Sequence, residues 1–230
     1  MAVTRSLPDR WQGPGDGAAT CRPPSIPAGL EPLELDGLAD GDGWVERSIT
    51  GMAVASDAER VEVVRSRLSL VRMTAARLYR LELTDVELVD CDLTEAVVEE
   101  STMVRVAFTR CRLTGADLGG TDLTDVRFTD CQMEGAGLRM VKGQRLVADG
   151  CTAPGVDLYR ARVPGSSWRA CDLTGADLSG ADMARARLNG STLTDVVGGS
   201  ALKGSIIGED QVVPVGLALM ADAGITIADG

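Results

Sequence analysis

Five of the six cysteines, Cys91, Cys111, Cys131, Cys151 and Cys171, recur at a fixed interval of twenty residues; Cys21 stands apart. Thiols at regular spacing raise three chemistries: disulfide pairing, soft-metal binding and nucleophilic or redox work. A disulfide needs directed pairs, whereas each of these cysteines has an equivalent neighbour on either side of the series. A metal needs convergent ligands, and a linear series offers no closed tetrahedral shell. A second series, Asp92, Asp117, Asp122, Asp157, Asp172, Asp177 and Asp182, carries the carboxylates that acid–base catalysis uses. The chain has no histidine, and no nucleophile elbow, phosphate loop or dinucleotide fingerprint accompanies these residues. We therefore expect no catalytic residue, no metal site and no cofactor. The cysteines read as small, readily buried hydrophobes.

Composition narrows the remaining classes. The 230 residues are 25% charged and 44% apolar, as in a globular protein, but only 3% aromatic, so aliphatic and small side chains must fill the core. The formal net charge of −11 argues against direct nucleic-acid binding, which rests on phosphate neutralisation. No apolar run approaches a membrane span, and the N-terminus has no apolar signal-peptide core. Six cysteines without CxxC pairs fit a reducing compartment, and the expectation is a cytoplasmic protein.

The elements that must position these side chains follow from a shorter period. Stepping by five from Leu68 to Leu193, 23 of 26 positions carry a large apolar residue, with no insertion. Two residues before each lies a smaller side chain, including Val71, Ala76, Cys91, Ala96, Ser101 and Cys111. Small-x-large every five residues fits neither a helical period nor unbroken strand alternation. It fits short extended segments that turn a corner after every fifth residue, with i−2 and i facing inward. Glycine recurs at i+2, as at Gly115, Gly135, Gly155 and Gly175, where a corner needs φ > 0. Threonine recurs at i+1, able to bond locally to the turn backbone. Four such sides close a square of twenty residues, and the cysteine interval is one circumference.

The runs CRLTGADLGGTDLTDVRF and CDLTGADLSGADMARARL resemble pentapeptide-repeat proteins. The resemblance covers residues 66–197 and implies an all-β fold: a right-handed quadrilateral parallel β-helix, with a short C-terminal capping α-helix expected from the sequence beyond it. Quinolone-resistance members are similar in fold, and the resemblance implies a candidate activity: mimicking DNA in the binding saddle of a type II topoisomerase such as DNA gyrase. It also implies homodimerisation through C-terminal elements.

Domain boundaries follow from the breaks in the pattern. Residues 1–43 are Pro/Gly-rich and expected to be largely disordered; 44–65 form an irregular first turn; 66–197 form the repeat; 198–230 form a cap with a helix at about 211–223, N-capped by Asp210 and stopped at Gly224. Gly143, Ala148 and Ala153 are undersized at position i, which predicts a distorted turn over residues 139–156. The cap helix is apolar nearly all round. Val212, Val213, Leu217 and Met220 are candidate cap or dimer contacts.

Two functional classes remain: a non-catalytic scaffold binding a protein partner, and a DNA-mimicking topoisomerase modulator. Residues 66–197 hold 19 acidic and 16 basic side chains, so the repeat itself is nearly balanced. Its one strongly acidic stretch, a candidate partner-binding patch, is Glu82, Asp85, Glu87, Asp90, Asp92, Glu95, Glu99 and Glu100.

Overall fold

The five-residue pattern dictates the backbone side by side. The computed structural model describes residues 20–34, 37–54 and 57–226. Within it, each i+2 corner turns into the left-handed region, as at Asp85 (φ 57°), Arg105 (φ 52°) and Gly115 (φ 64°). Glycine was the corner signal in the sequence, yet Asp, Arg, Glu, Leu and Met also occupy corners. Their strain is held by the stack, because the corner amides donate to the next turn: Asp90 N to Thr109 O at 3.0 Å and Arg110 N to Thr129 O at 2.9 Å.

The result is a β-solenoid of about seven turns, the quadrilateral parallel β-helix expected from the repeat. Three long strands, Glu82–Val89, Thr102–Thr109 and Asp122–Thr129, each run through a corner and cover two sides of the square. They pair in parallel with a constant offset of twenty, Leu83 with Met103 with Leu123 and Leu88 with Phe108 with Phe128. The other two sides are joined by bridges in the same register, such as Asp92 with Arg112 and Asp117 with Gly137. Positions i−2 and i line one continuous buried core from Trp44 to the C-terminal helix.

The undersized positions at 143, 148 and 153 do not distort the turn. Residues 142–144 and 147–149 pair in unbroken register with the strand below, and Thr152 bridges Asp172 above. The volume is restored vertically rather than within the turn. Ala148 lies in register between Phe128 and Trp168, and the Trp168 indole fills the column above it. A Cβ on Gly143 would come within 2.9 Å of Val163 Cγ1 and 3.5 Å of Leu146 Cβ, so those neighbours already occupy the space. Below, the Phe108 and Phe128 rings stack at 4.8 Å, the spacing of adjacent turns.

Both ends are closed by non-repeat chain. At the N-terminal end, Trp44, Ile49, Val54 and Ala58 form a turn offset from the next by nineteen residues at 44, 48 and 53 and by twenty at 58. Beneath it, Glu31–Pro32 adds one further parallel strand, and Leu33 and Leu38 pack against the core. The sequence expectation of a largely disordered stretch to residue 43 therefore does not describe residues 20–34, which lie in an extended path held by specific bonds given below; residues 1–19 fall outside the described residues. At the C-terminal end, helix α1 (Val212–Asp222) buries Val215 and Ala218 over the last turn. Its N-cap is Gln211, at the end of a 3-10 turn Glu209–Gln211, rather than Asp210. The buried Gln211 amide explains the difference: its Nε2 donates to Leu188 O at 2.7 Å and to Ser191 O, while Oε1 accepts from Gly208 N. The helix stops at Gly224 (φ 71°), where Gly224 N bonds Ala221 O and Ile225 N bonds Met220 O, the paired bonds of a Schellman motif.

Candidate functional site

The repeating aspartates at i−1 are engaged locally. Asp92 accepts from Thr94 N and Oγ1 at 3.0 and 2.6 Å, and Asp172 repeats this with Thr174 at the same distances. Asp117, Asp157, Asp177 and Asp182 accept from the backbone amide two residues on. Asp122 instead pairs with Lys142 at 3.2 Å. Six of the seven carboxylates thus fix their own turn, Asp122 instead tying its turn to the next, and the i+1 threonine hydroxyls at 94 and 174 bond the aspartate rather than the backbone. The cysteine column is equally structural in geometry. All six thiols are free and buried, and the column points its Sγ atoms at carbonyls, Cys111 at Leu88 O (3.4 Å) and Cys131 at Thr129 O (3.4 Å). Hydroxyls take the same position where cysteine is absent, Thr121 donating to Val98 O and Ser191 to Trp168 O. Among the described residues no group of His, Cys, Asp and Glu side chains is placed to hold a metal, and no helix is long and apolar enough to cross a membrane.

The eight acidic residues at 82–100 do not share one face. They occupy one circumference, so their carboxylates point outward in four directions, and arginines one turn away meet five of them. Asp85 is held by Arg105 through two bonds of 2.6 Å, Asp90 by Arg110 through two of 2.8 Å, and Glu87 by Arg67 at 2.7 Å. Asp92 meets Arg112 at 3.3 Å and Glu100 meets Arg80 at 3.5 Å. Glu82 and Glu95 are exposed and Glu99 is half-buried, each on a different side.

One corner carries a column of alternating charge: Glu46, Arg65, Asp85, Arg105, Asp125 and Arg145. Ion pairs join Glu46 with Arg65 (2.5 Å), Asp85 with Arg105 and Asp125 with Arg145 (2.5 Å). The N-terminal segment lies on this column as a strap. Arg22 reaches Asp125 with its backbone N–H at 3.0 Å, Nε at 2.8 Å and Nη2 at 2.7 Å, and Ser25 N–H donates to Asp85 at 2.9 Å. The strap then joins the bottom of the stack, Glu31 N to Glu46 O and Leu33 N to Ser48 O, with an Arg47–Glu31 ion pair.

These contacts set the electrostatics of the corner. Burial opposes ionisation of Asp125, whose side chain has 0% exposure, but hydrogen bonds from Arg145 and Arg22 overcome it and hold the carboxyl far below the usual range. Asp85 is lowered in the same way, burial being outweighed by Arg105 and the Ser25 amide. Cys21, 1% exposed, has its thiol pushed up to about 11 by burial, with Arg127 partly offsetting this. Sequence reasoning missed the strap because RPPS carries no periodicity. The alternation of charge at twenty-residue steps from Arg65 to Arg145 was its available signal. At the other end, Val212, Val213, Leu217 and Met220 are exposed on α1, outside the seal made by Val215 and Ala218.

Comparison with known proteins agrees with the geometry. Residues 61–138 match the pentapeptide repeat region family and residues 154–195 match pentapeptide repeats in eight copies, together over half the chain. The protein belongs to the pentapeptide-repeat family. Among solved structures, a trypsin-treated form of QnrB1, described as a plasmid-mediated fluoroquinolone resistance protein, is 18% identical, with 84% of this chain and 99% of that chain covered and a TM-score of 0.51. HetL, a pentapeptide-repeat protein involved in heterocyst differentiation regulation in the cyanobacterium Nostoc, is 19% identical over 73% of this chain and 87% of that one, with a TM-score of 0.27. No curated protein sequence matches the chain.

Proposed function

We propose that the protein is a non-catalytic scaffold that binds a protein partner through its charged outer wall. The observation that carries this reading is the pairing of the 82–100 carboxylates: five of eight meet an arginine one turn away, so the wall presents alternating signs at the spacing of the turns. Such a surface suits a protein face of complementary pattern, where charge placement sets specificity and register. Glu82, Glu95 and Glu99, for which no ion pair is seen among the described residues, are the carboxylates offered to a partner. Photo-crosslinkers placed beside these three in cells should capture one discrete partner, and reversing all three to lysine should abolish capture. Capture that is indifferent to the reversal would end the reading.

A second reading, a DNA-mimicking modulator of type II topoisomerase, is favoured by the net charge of −11 and by the shared fold with a fluoroquinolone resistance protein along nearly its whole length. Purified protein should then inhibit DNA gyrase supercoiling at micromolar concentration and relieve quinolone-induced cleavage; the scaffold reading predicts neither. In both readings two copies join through the exposed face of α1. Light scattering should give a dimer mass that Leu217→Glu reduces to the monomer.

A further inference from the structure

The strap and the charged corner match each other in length and in hydrogen-bonding demand. Asp85 and Asp125 occupy the same corner two turns apart, about 9.6 Å at the usual strand spacing. Arg22 and Ser25 are three residues apart, and a polyproline-type chain rises about 3.1 Å per residue, so three steps span about 9.3 Å. The two residues between the anchors are Pro23 and Pro24, which have no N–H and ask nothing of the wall they cross. Both anchoring amides and the Arg22 guanidinium find carboxylates, and each carboxylate is held from the far side by its own arginine, Arg105 or Arg145. Asp125 is completely buried, while the Arg22 side chain stays 60% exposed, the arrangement of a ligand seated on a built site.

We propose that the corner column Asp85–Arg105–Asp125–Arg145 is a peptide-binding site for an extended Arg-Pro-Pro-Ser segment, filled in this structure by the chain's own residues 22–25 and open to the same sequence in trans when they leave. The contact is a reversible latch. Its recognition elements are one guanidinium, two amides two turns apart and a proline spacer between them. The site is distinct from the three carboxylates assigned above to a partner, and it stands or falls separately.

Two measurements test it on the full-length protein. The first uses Cys21, which a thiol reagent can reach only when the strap lifts. Native-state labelling of Cys21, located by peptide mass, should quicken by about tenfold or more in Arg22→Ala, which removes both guanidinium bonds to Asp125. That variant alters an exposed side chain and leaves the β-helix intact. An unchanged labelling rate would overturn the latch. The second replaces residues 22–25 together by glycine and titrates in a fluorescent peptide of residues 20–34 carrying serine in place of cysteine. Binding should be at least about tenfold tighter than to the native chain, whose own strap fills the site, and about tenfold weaker again when Asp125→Asn is added. Asparagine tolerates the left-handed corner, so this change removes charge and not conformation. Equal peptide binding to all three proteins, or none to the vacated one, would overturn the site.

Discussion

A carboxylate with no exposed surface stays ionised only where its surroundings supply opposite charge, and at Asp125 two guanidiniums do so. Its folded pKa lies below the unfolded value of 3.8, and that of Asp85 is shifted the same way. A depressed folded pKa contributes stability that is complete above about pH 4 and is lost as pH falls through the folded value. Asp125→Asn should therefore cost roughly 2 kcal/mol at neutral pH in urea unfolding, the scale of hydrogen bonds to charged groups. The gap to the native chain should narrow as pH is lowered from about 4 towards 2. A gap constant across that range would contradict the assignment. The cysteine column predicts the opposite kind of sensitivity, to volume and not charge. Serine at 131 can donate to Phe108 O, the carbonyl equivalent to those that Ser191 and Thr121 use, so Cys131→Ser should cost within about 1 kcal/mol. Cys131→Leu forces extra volume into a filled interior and should cost about 1–3 kcal/mol. Calorimetric melting of the two variants separates these outcomes.

At the scale of the element, the repeat was legible because its signal is additive: 23 of 26 large residues at one spacing leave a single backbone that places them all inward. Reading each turn as a closed unit concealed the compensation at Ala148. The partner of a small side chain in a stack is twenty residues away, and here it is Trp168. That relation makes a quantitative prediction. Trp168→Ala should cost about 3–5 kcal/mol through the cavity it leaves. Ala148→Leu should cost about 1–3 kcal/mol by crowding the indole. The double variant should be more stable than the sum of the two, because each relieves the other's defect; strict additivity in chemical unfolding would refute the vertical compensation. The helix α1 was likewise visible in its length and its glycine stop, but its start was not. Asp210 has the residue type of an N-cap, whereas Gln211 has the position, and only the approach of the last turn's carbonyls decides between them. The acidic patch had the same ambiguity. Its carboxylates are near in sequence, while their arginine partners at 67, 80, 105, 110 and 112 become neighbours only once the turn is closed.

For the whole molecule, constant register means that turns are interchangeable units. Stability then grows by nearest-neighbour increments. Deleting residues 171–190, one circumference, should leave a folded β-helix with a lower melting temperature by circular dichroism, because Ser191 then falls where Cys171 stood. A stack of equivalent rungs has no inherent length; it is a one-dimensional crystal, and nothing in the repeat says when growth is finished. The two tips supply that information. Pro32, on the outermost strand among the described residues, has no N–H to offer a rung beneath it. Gln211 occupies with its side-chain amide the carbonyls of Leu188 and Ser191 that a rung above would use. Size in this protein is thus written at its two tips, in Pro32 below and in Gln211 with the helix that follows it above, rather than in the repeats between them.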